Sequence, residues 1–422
     1  MKDNKCCFVP ADILIPDFDK CSGTKWASVA CDQFTSEPEY WEAAAEIAGD
    51  EPSTLNLMIP EVYLAETDAR LPLVHSKMNE YLKDVLVSHP DSFVYIEREQ
   101  SDGRVRRGLV GMVDLEHYDY NKGANSLVRA TEGTVLERIP PRVAVRREAS
   151  LELPHVMILI DDPDKTVIEP LANASDNFEK AYDFDLMLGG GHIRGSFVPD
   201  EHKVRIDEAL FALATDEKMT EKYGATGLSP LLFAVGDGNH SLATAKATFE
   251  EIKARDGEAA MNSSARYALA EVVNLHDEAL DFEPIYRVVF DVHGEKLLAE
   301  LCEYAKSLKG SAAPQTVHYI FNGTEGDIIF NSPVQQLAVG TLQDFLDEYK
   351  KNNPKAEIDY IHDESSLRAL AEKENSVGFL FDGMGKDELF RTVIFDGALP
   401  RKTFSMGHAR DKRFYLECRK IK

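Results

Sequence analysis

No apolar run in the chain is long enough to span a membrane, which takes about 20 mainly apolar residues. The opening stretch, MKDNKCCFVPADILIP, lacks the basic region, long apolar core and cleavage site of a secretory signal. Positive charge is scarce: 47 Lys and Arg stand against 73 Asp and Glu, a formal net charge of -26. A field of that sign repels nucleic-acid phosphate and acidic membrane surfaces, so neither is an expected partner. The six cysteines (Cys6, Cys7, Cys21, Cys31, Cys302 and Cys418) form no CxxC pair. Their spacing offers neither a zinc site nor a disulfide scaffold, and reduced thiols in the cytoplasm are expected. Internal repeats and low-complexity tracts are missing as well.

What is present is a chain of 422 residues, 44% hydrophobic, too long for one core of ordinary size. Strand-like and helix-like segments alternate, so the expected class is mixed α/β in two lobes. Residues 1–290 would form the motif-bearing lobe, and 291–422 a smaller α/β lobe with a basic C-terminal tail. Ser36-Glu37-Pro38-Glu39 reads as a capping box opening a helix that Gly49 stops. Asp102-Gly103 reads as a hairpin turn into Val105–Val113. Arg138, Arg142, Arg146 and Arg147 alternate with apolar residues and read as an exposed strand face. Residues 413–419 read as one last strand.

The most informative stretch is VGDGNHSLATAK, Val235 to Lys246. It follows the apolar run Leu231–Val235. Leu242, Ala245, Phe249 and Ile252 then recur at helical spacing, predicting a helix from Ser241 to about Arg255, stopped by Gly257. Gly236-Asp237-Gly238-Asn239-His240 therefore turns a strand into a helix N-terminus, where unfilled N–H groups and the helix dipole favour anions. Glycine and an Asx residue would serve a plain turn too, but such a turn needs neither Asp237 nor His240. The turn is no Walker A loop and no GxGxxG. Lys246 lies about 9 Å along the helix axis from His240 and is expected to be a surface lysine.

The stretch resembles the Asp-Gly-His-His-Arg signature of the domain-of-unknown-function family numbered one-zero-one-five, matched here by Asp237-Gly238-Asn239-His240-Ser241. Trp26 to Ser36, which contains Cys31-Asp32-Gln33, resembles the opening of one branch of that family. Glu283-Pro284-Ile285-Tyr286-Arg287 falls where members have Pro-Thr-His-Arg. Leu399-Pro400-Arg401-Lys402-Thr403 falls where they have Pro-x-Lys-Ser. A more remote likeness is to the ParB and sulfiredoxin superfold, which includes a free-serine kinase and holds nucleotide phosphates at such a helix start. Asn239 stands where sulfiredoxin has its reactive cysteine, which excludes sulfiredoxin chemistry. Ser241 stands at the arginine position, so another cation must meet a phosphate.

Candidates for that cation, or for other ligand contacts, are Gly191, His192 and Arg194 in a second glycine-rich loop, then Arg287, Lys402 and Thr403. A Cys31 nucleophile is less expected than a buried inert thiol, and Asp32 is the functional candidate of that segment. The likeness implies an enzyme that binds ATP or ADP with Mg, or another phosphorylated small molecule, and transfers phosphoryl to a small hydroxyl substrate such as an amino acid. Asp237 would be base or metal ligand and His240 an acid/base group. Gly236, Gly238, Asn239 and Ser241 would line the phosphate. A non-catalytic small-molecule sensor and an Asp/His-dependent hydrolase are the alternatives, and a homo-oligomer is compatible with either.

Overall fold

A computed structural model describes residues 7–133, 139–153, 155–224 and 226–422. Cys6, Arg138 and Pro154 lie outside the described residues. The class is mixed α/β, as the alternation of segments implies. The chain divides into two compact units. One comprises Met1–Ala130, Thr134–Leu280 and His408–Lys422; the other comprises Thr131–Gly133 and Asp281–Gly407.

The first unit is built on one large sheet. Its strands are β1 (Val94–Glu99), β2 (Val105–Asp114), β3 (Tyr118–Asp119), β4 (Val128–Ala130), β5 (Met157–Ile160), β6 (Glu179–Asp185), β7 (His192–Phe197), β8 (Phe233–Asp237) and β9 (Tyr267–Asn274). They lie in the order β6-β7-β1-β2-β9-β5-β8-β4-β3, and Phe8–Val9 adds to β2. Phe233, Ala234 and Val235 are fully buried, which explains why β8 reads as a continuous apolar run rather than an alternating one. β8 runs antiparallel to β5, with Asp237 opposite Met157 and a bulge between Met157 and Ile158.

Among the helices of the first unit are α1 (Pro38–Ala48), α2 (Ile139–Glu148) and α3 (Asn239–Asp256), the last of which starts at the site. Leu242, Ala245 and Phe249 of α3 pack into the core cluster that includes Phe233 and Ile158. Ala243, on another side of α3, meets Ile139 and Val143 of α2. α2 corrects the strand expected around Arg142 to Arg147. Its residues alternate over too short a run to separate strand from helix, and Pro140 sits in the first helical turn. Its basic side chains are paired, Arg142 with Glu61, Arg146 with Glu152 and Arg147 with Glu251. Pro38 does open α1, but the capping residue is Glu37 and no side chain caps the end, so the capping-box expectation fails.

The expected last strand is two: Phe414–Tyr415 pairs with Ser28–Val29, while Cys418–Lys420 joins a separate sheet. Leu416 and Glu417 break the run between them. The second unit has an antiparallel sheet of five strands: β10 (Tyr286–Phe290), β11 (Gln315–Phe321), β12 (Thr324–Phe330), β13 (Glu357–Ile361) and β14 (Val377–Leu380). They lie in the order β12-β11-β14-β10-β13, with Val288, Ile320, Leu367 and Leu380 in its core. No helix among the described residues is long and apolar enough to cross a membrane.

Candidate functional site

The end of β8 delivers the chain to α3 through Gly238, which has φ 77° and ψ 27°. A Cβ there would lie 3.0 Å from the Val156 Cα, so both the left-handed backbone and the close approach require glycine. α3 begins at Asn239, two residues before the predicted start, and no side chain caps it. Gly236, Asp237, Asn239, His240 and Ser241 are all half-buried. The Gly238 N–H is already donated to Asp237 Oδ1 at 2.8 Å, which removes it from the set expected to line a phosphate. The His240 carbonyl accepts from Thr244 Oγ1 at 2.7 Å, and Asn239 Nδ2 reaches the Val235 carbonyl at 3.5 Å. Lys246 donates to the Leu115 carbonyl at 2.9 Å and pairs with Glu250 one turn along.

The cation at this turn is one that sequence reasoning missed. Lys412 Nζ stands 3.2 Å from Asp237 Oδ2, with 15% of its side chain exposed and 22% of the aspartate's. It comes from the segment His408–Lys422, which belongs to the first unit.

A second pair adjoins it. Because β5 runs antiparallel to β8, the residues just before Met157 lie beside the Asp237 end. His155 Nε2 is 3.5 Å from Asp32 Oδ2, and His155 Nδ1 is 2.9 Å from the Tyr415 hydroxyl. Tyr415 is in turn 3.1 Å from Cys31 Sγ. Burial opposes ionisation of Asp32, but the His155 imidazole, the Gln33 amide and Lys412 together hold its carboxyl well below the ordinary value. Burial likewise opposes a charge on His155, yet Asp32, with Asp237 adding to it, raises its pKa. Burial, reinforced by the Asp32 charge, pushes the Cys31 thiol up to about 12. Cys31 is therefore held as a thiol, not a nucleophile.

Three of the other predicted residues, Gly191, His192 and Arg194, stand elsewhere in the first unit. His192 and Arg194 are on β7, five strands across the sheet from β8. His192 bridges Asp183 and Asp185 at 2.8 and 2.7 Å, and Arg194 grips Glu97, with its Nε at 2.9 Å. A Cβ on Gly191 would lie 2.1 Å from the Glu99 carbonyl oxygen, so that glycine serves close packing of backbone on backbone. Arg287, Lys402 and Thr403 belong to the second unit. Arg287 is fully buried, and its guanidinium donates to Gln343 Oε1 at 2.8 Å and to the Arg401 carbonyl at 3.0 Å. Thr403 is buried and caps the Pro400 carbonyl at 2.7 Å, while Lys402 is exposed in a left-handed turn. Asp32, Asp237, Asn239, His240 and Ser241 are the predicted side chains at this end of the first unit; His155, Tyr415 and Lys412 join them. Among the described residues no group of three or more His, Cys, Asp or Glu side chains is arranged to hold a metal ion.

No curated protein matches the chain. Solved structures with similar chain traces include a conserved hypothetical protein from Pyrococcus furiosus, 11% identical, covering 74% of this chain and 94% of its own, with a TM-score of 0.35. Others are mutants of a free serine kinase. One in complex with AMP is 11% identical over 76% of this chain and 92% of its own, TM-score 0.38. One in complex with ADP is 11% identical over 76% and 93%, TM-score 0.38. At scores this low the likenesses carry no argument about chemistry. The family model DUF1015, described as a protein of unknown function, matches residues 17–381, and the chain is a member of that family.

Proposed function

We propose that the turn from Gly236 to Ser241 is the ligand site of an enzyme acting on a phosphorylated small molecule, with ATP or ADP carrying Mg as the concrete form. The observation that carries this reading is the Lys412–Asp237 pair at the start of α3. Ser241 provides no guanidinium, and Lys412 supplies a positive charge at the same helix start. A cation there, the dipole of an 18-residue helix and the N–H groups of its first turn all favour the same sign of ligand.

The reaction class is phosphoryl transfer to a small hydroxyl compound. Asp237 takes the proton as the acceptor oxygen bonds to the terminal phosphorus, and the bond from phosphorus to the bridging oxygen breaks to release the shortened nucleotide, ADP from ATP or AMP from ADP. Lys412 and the charged form of His155 oppose the negative charge that moves onto the leaving oxygens. His240 hydrogen-bonds the transferring group. Asp32 favours the charged form of His155 and orients its ring.

The test is a thermal-shift panel of ATP, ADP, pyrophosphate and free amino acids, each with and without Mg, followed by transfer of labelled phosphoryl. Stabilisation by the phosphate compounds, and loss of transfer with retained affinity in Asp237→Ala, are the expected results. Stabilisation with no transfer to any acceptor would favour a sensor. No shift with any phosphate compound would overturn the reading.

A further inference from the structure

Lys412 arrives at the site from the C-terminal end of the chain, and its direction is set by the residues before it. Three residues of the β1–β2 hairpin hold those residues. Arg98 Nη2 donates to the Arg410 carbonyl at 3.0 Å, and Arg106 Nη1 donates to the Asp411 carbonyl at 3.1 Å. Ser101 donates its backbone N–H and its hydroxyl to the two carboxylate oxygens of Asp411, at 2.7 and 2.8 Å. The Arg98 guanidinium also lies over the Phe414 ring, 5.0 Å from its centre.

The arrangement is costly in isolation. Arg98 and Arg106 are direct cross-strand partners, 2% and 4% exposed. Like charges in that relation destabilise a hairpin, and burial adds to the cost. Glu271 meets part of it, 3.6 Å from Arg106 and 3.3 Å from Arg413. A further part is met on the C-terminal segment, where the two arginines take consecutive carbonyls immediately ahead of Lys412. Arg410 and Asp411 are held on the main chain, and Asp411 through its side chain as well, so the backbone that leads into residue 412 is fixed at two consecutive carbonyls.

We propose that Arg98, Ser101 and Arg106 are positioning residues that clamp the C-terminal segment and so hold Lys412 against Asp237. The proposal rests on reading that pair as part of an anion-binding site. They touch neither Lys412 nor Asp237 in the contacts described above; they act through the backbone of Arg410 and Asp411.

The experiment reads the clamp directly. The full chain is treated with an amine-acylating reagent, and labelling of Lys412 is followed by mass spectrometry against Lys222, which pairs with Asp161 in the same unit. Asp411→Ala, which removes both hydrogen bonds from Ser101, is expected to raise the Lys412 rate at least about fivefold, the factor for one lost hydrogen bond, with Lys222 unchanged. Ser101→Ala should move it the same way by less and serves if Asp411→Ala does not fold. Asp411→Asn, which can still accept from Ser101, should restore protection. Equal Lys412 labelling in wild type and in both alanine variants would overturn the proposal. Pyrophosphate binding is measured separately on the wild type. A protected Lys412 with no pyrophosphate shift would remove the anion site and leave the clamp standing.

Discussion

Asp32 and His155, 123 positions apart in sequence, face each other with 3.5 Å between carboxylate oxygen and imidazole nitrogen. The aspartate side chain is one-third exposed and the histidine nearly buried, so each sets the other's charge in a medium that would otherwise discourage both. The signs give a pH window. The raised pKa of His155 contributes stability that is complete below the ordinary imidazole value of 6.5 and is lost as pH rises through the folded value. The lowered pKa of Asp32 contributes stability that is present above 3.8 and lost as pH falls through its folded value. The pair therefore stabilises most between those two ordinary values. An NMR titration of His155 should show its pKa fall in Asp32→Asn, because burial is then less opposed. The alkaline loss of melting temperature should be smaller in His155→Gln than in wild type. An unmoved His155 titration in Asp32→Asn would refute the coupling.

Lys412 gives a contrast between stability and binding. The pair is only 15% and 22% exposed, so Lys412→Met leaves a mostly buried carboxylate without its cation and should cost about 1–3 kcal/mol in denaturant unfolding. A phosphate would lose a charge-assisted partner, and pyrophosphate affinity should fall roughly ten- to a hundredfold, in line with the 1.5–3 kcal/mol typical of hydrogen bonds to charged groups. The comparison with Lys246→Met is decisive. That side chain is tied to the Leu115 carbonyl and Glu250, and its loss should leave pyrophosphate affinity unchanged. Equal losses of affinity in the two variants would remove Lys412 from the site.

The strand, the turn and the helix that make the site were legible because each rests on local chemistry. Leu231–Val235 is apolar throughout and runs into the interior strand β8, Phe233–Asp237; Gly238 is where the backbone turns left-handed; Leu242, Ala245 and Phe249 share a buried face. The exact helix start was not legible, because no capping side chain marks it. The residues gathered on the turn were illegible for a different reason. His155 is placed by antiparallel pairing of β5 with β8, and Lys412 by a segment that follows the whole second unit. Neither relation leaves a spacing in the sequence. A histidine two positions before a buried apolar strand was the available signal for His155, and it is a weak one. The glycine run at 189–191 misled because close backbone packing and ligand approach select the same residue.

Gly238→Ala should destabilise the fold by more than the conformational cost alone. A left-handed backbone costs a non-glycine residue about 1–2 kcal/mol. Gly103 is a matched control: it has φ 82° and nothing within 4 Å of an added Cβ, whereas Gly238 meets Val156 at 3.0 Å. Gly103→Ala should lose stability of that conformational size, and Gly238→Ala should lose more, because Val156 must shift and it lies next to His155. The same shift should broaden or move the His155 NMR signals in Gly238→Ala but not in Gly103→Ala. Equal unfolding midpoints for the two variants would mean that the close approach at Gly238 has no energetic weight.

Cys31 tests whether proximity to a histidine is enough to make a nucleophile. The Tyr415 hydroxyl stands between them, 3.1 Å from the sulfur and 2.9 Å from His155 Nδ1, so the imidazole does not reach the thiol directly. Burial and the Asp32 charge hold the thiol up at about 12, several units above neutral pH, where almost none of it is thiolate. Alkylation of Cys31 by iodoacetamide near pH 8 should therefore be much slower than that of a free model thiol, and it should accelerate in Asp32→Asn as the repulsive charge is removed. Cys31→Ala should retain phosphate binding and any phosphoryl transfer, since the proposed chemistry runs through Asp237 and Lys412. Fast alkylation of Cys31 in the wild type, together with loss of turnover in Cys31→Ala, would show the thiol to be the reacting group and displace Asp237 from that role.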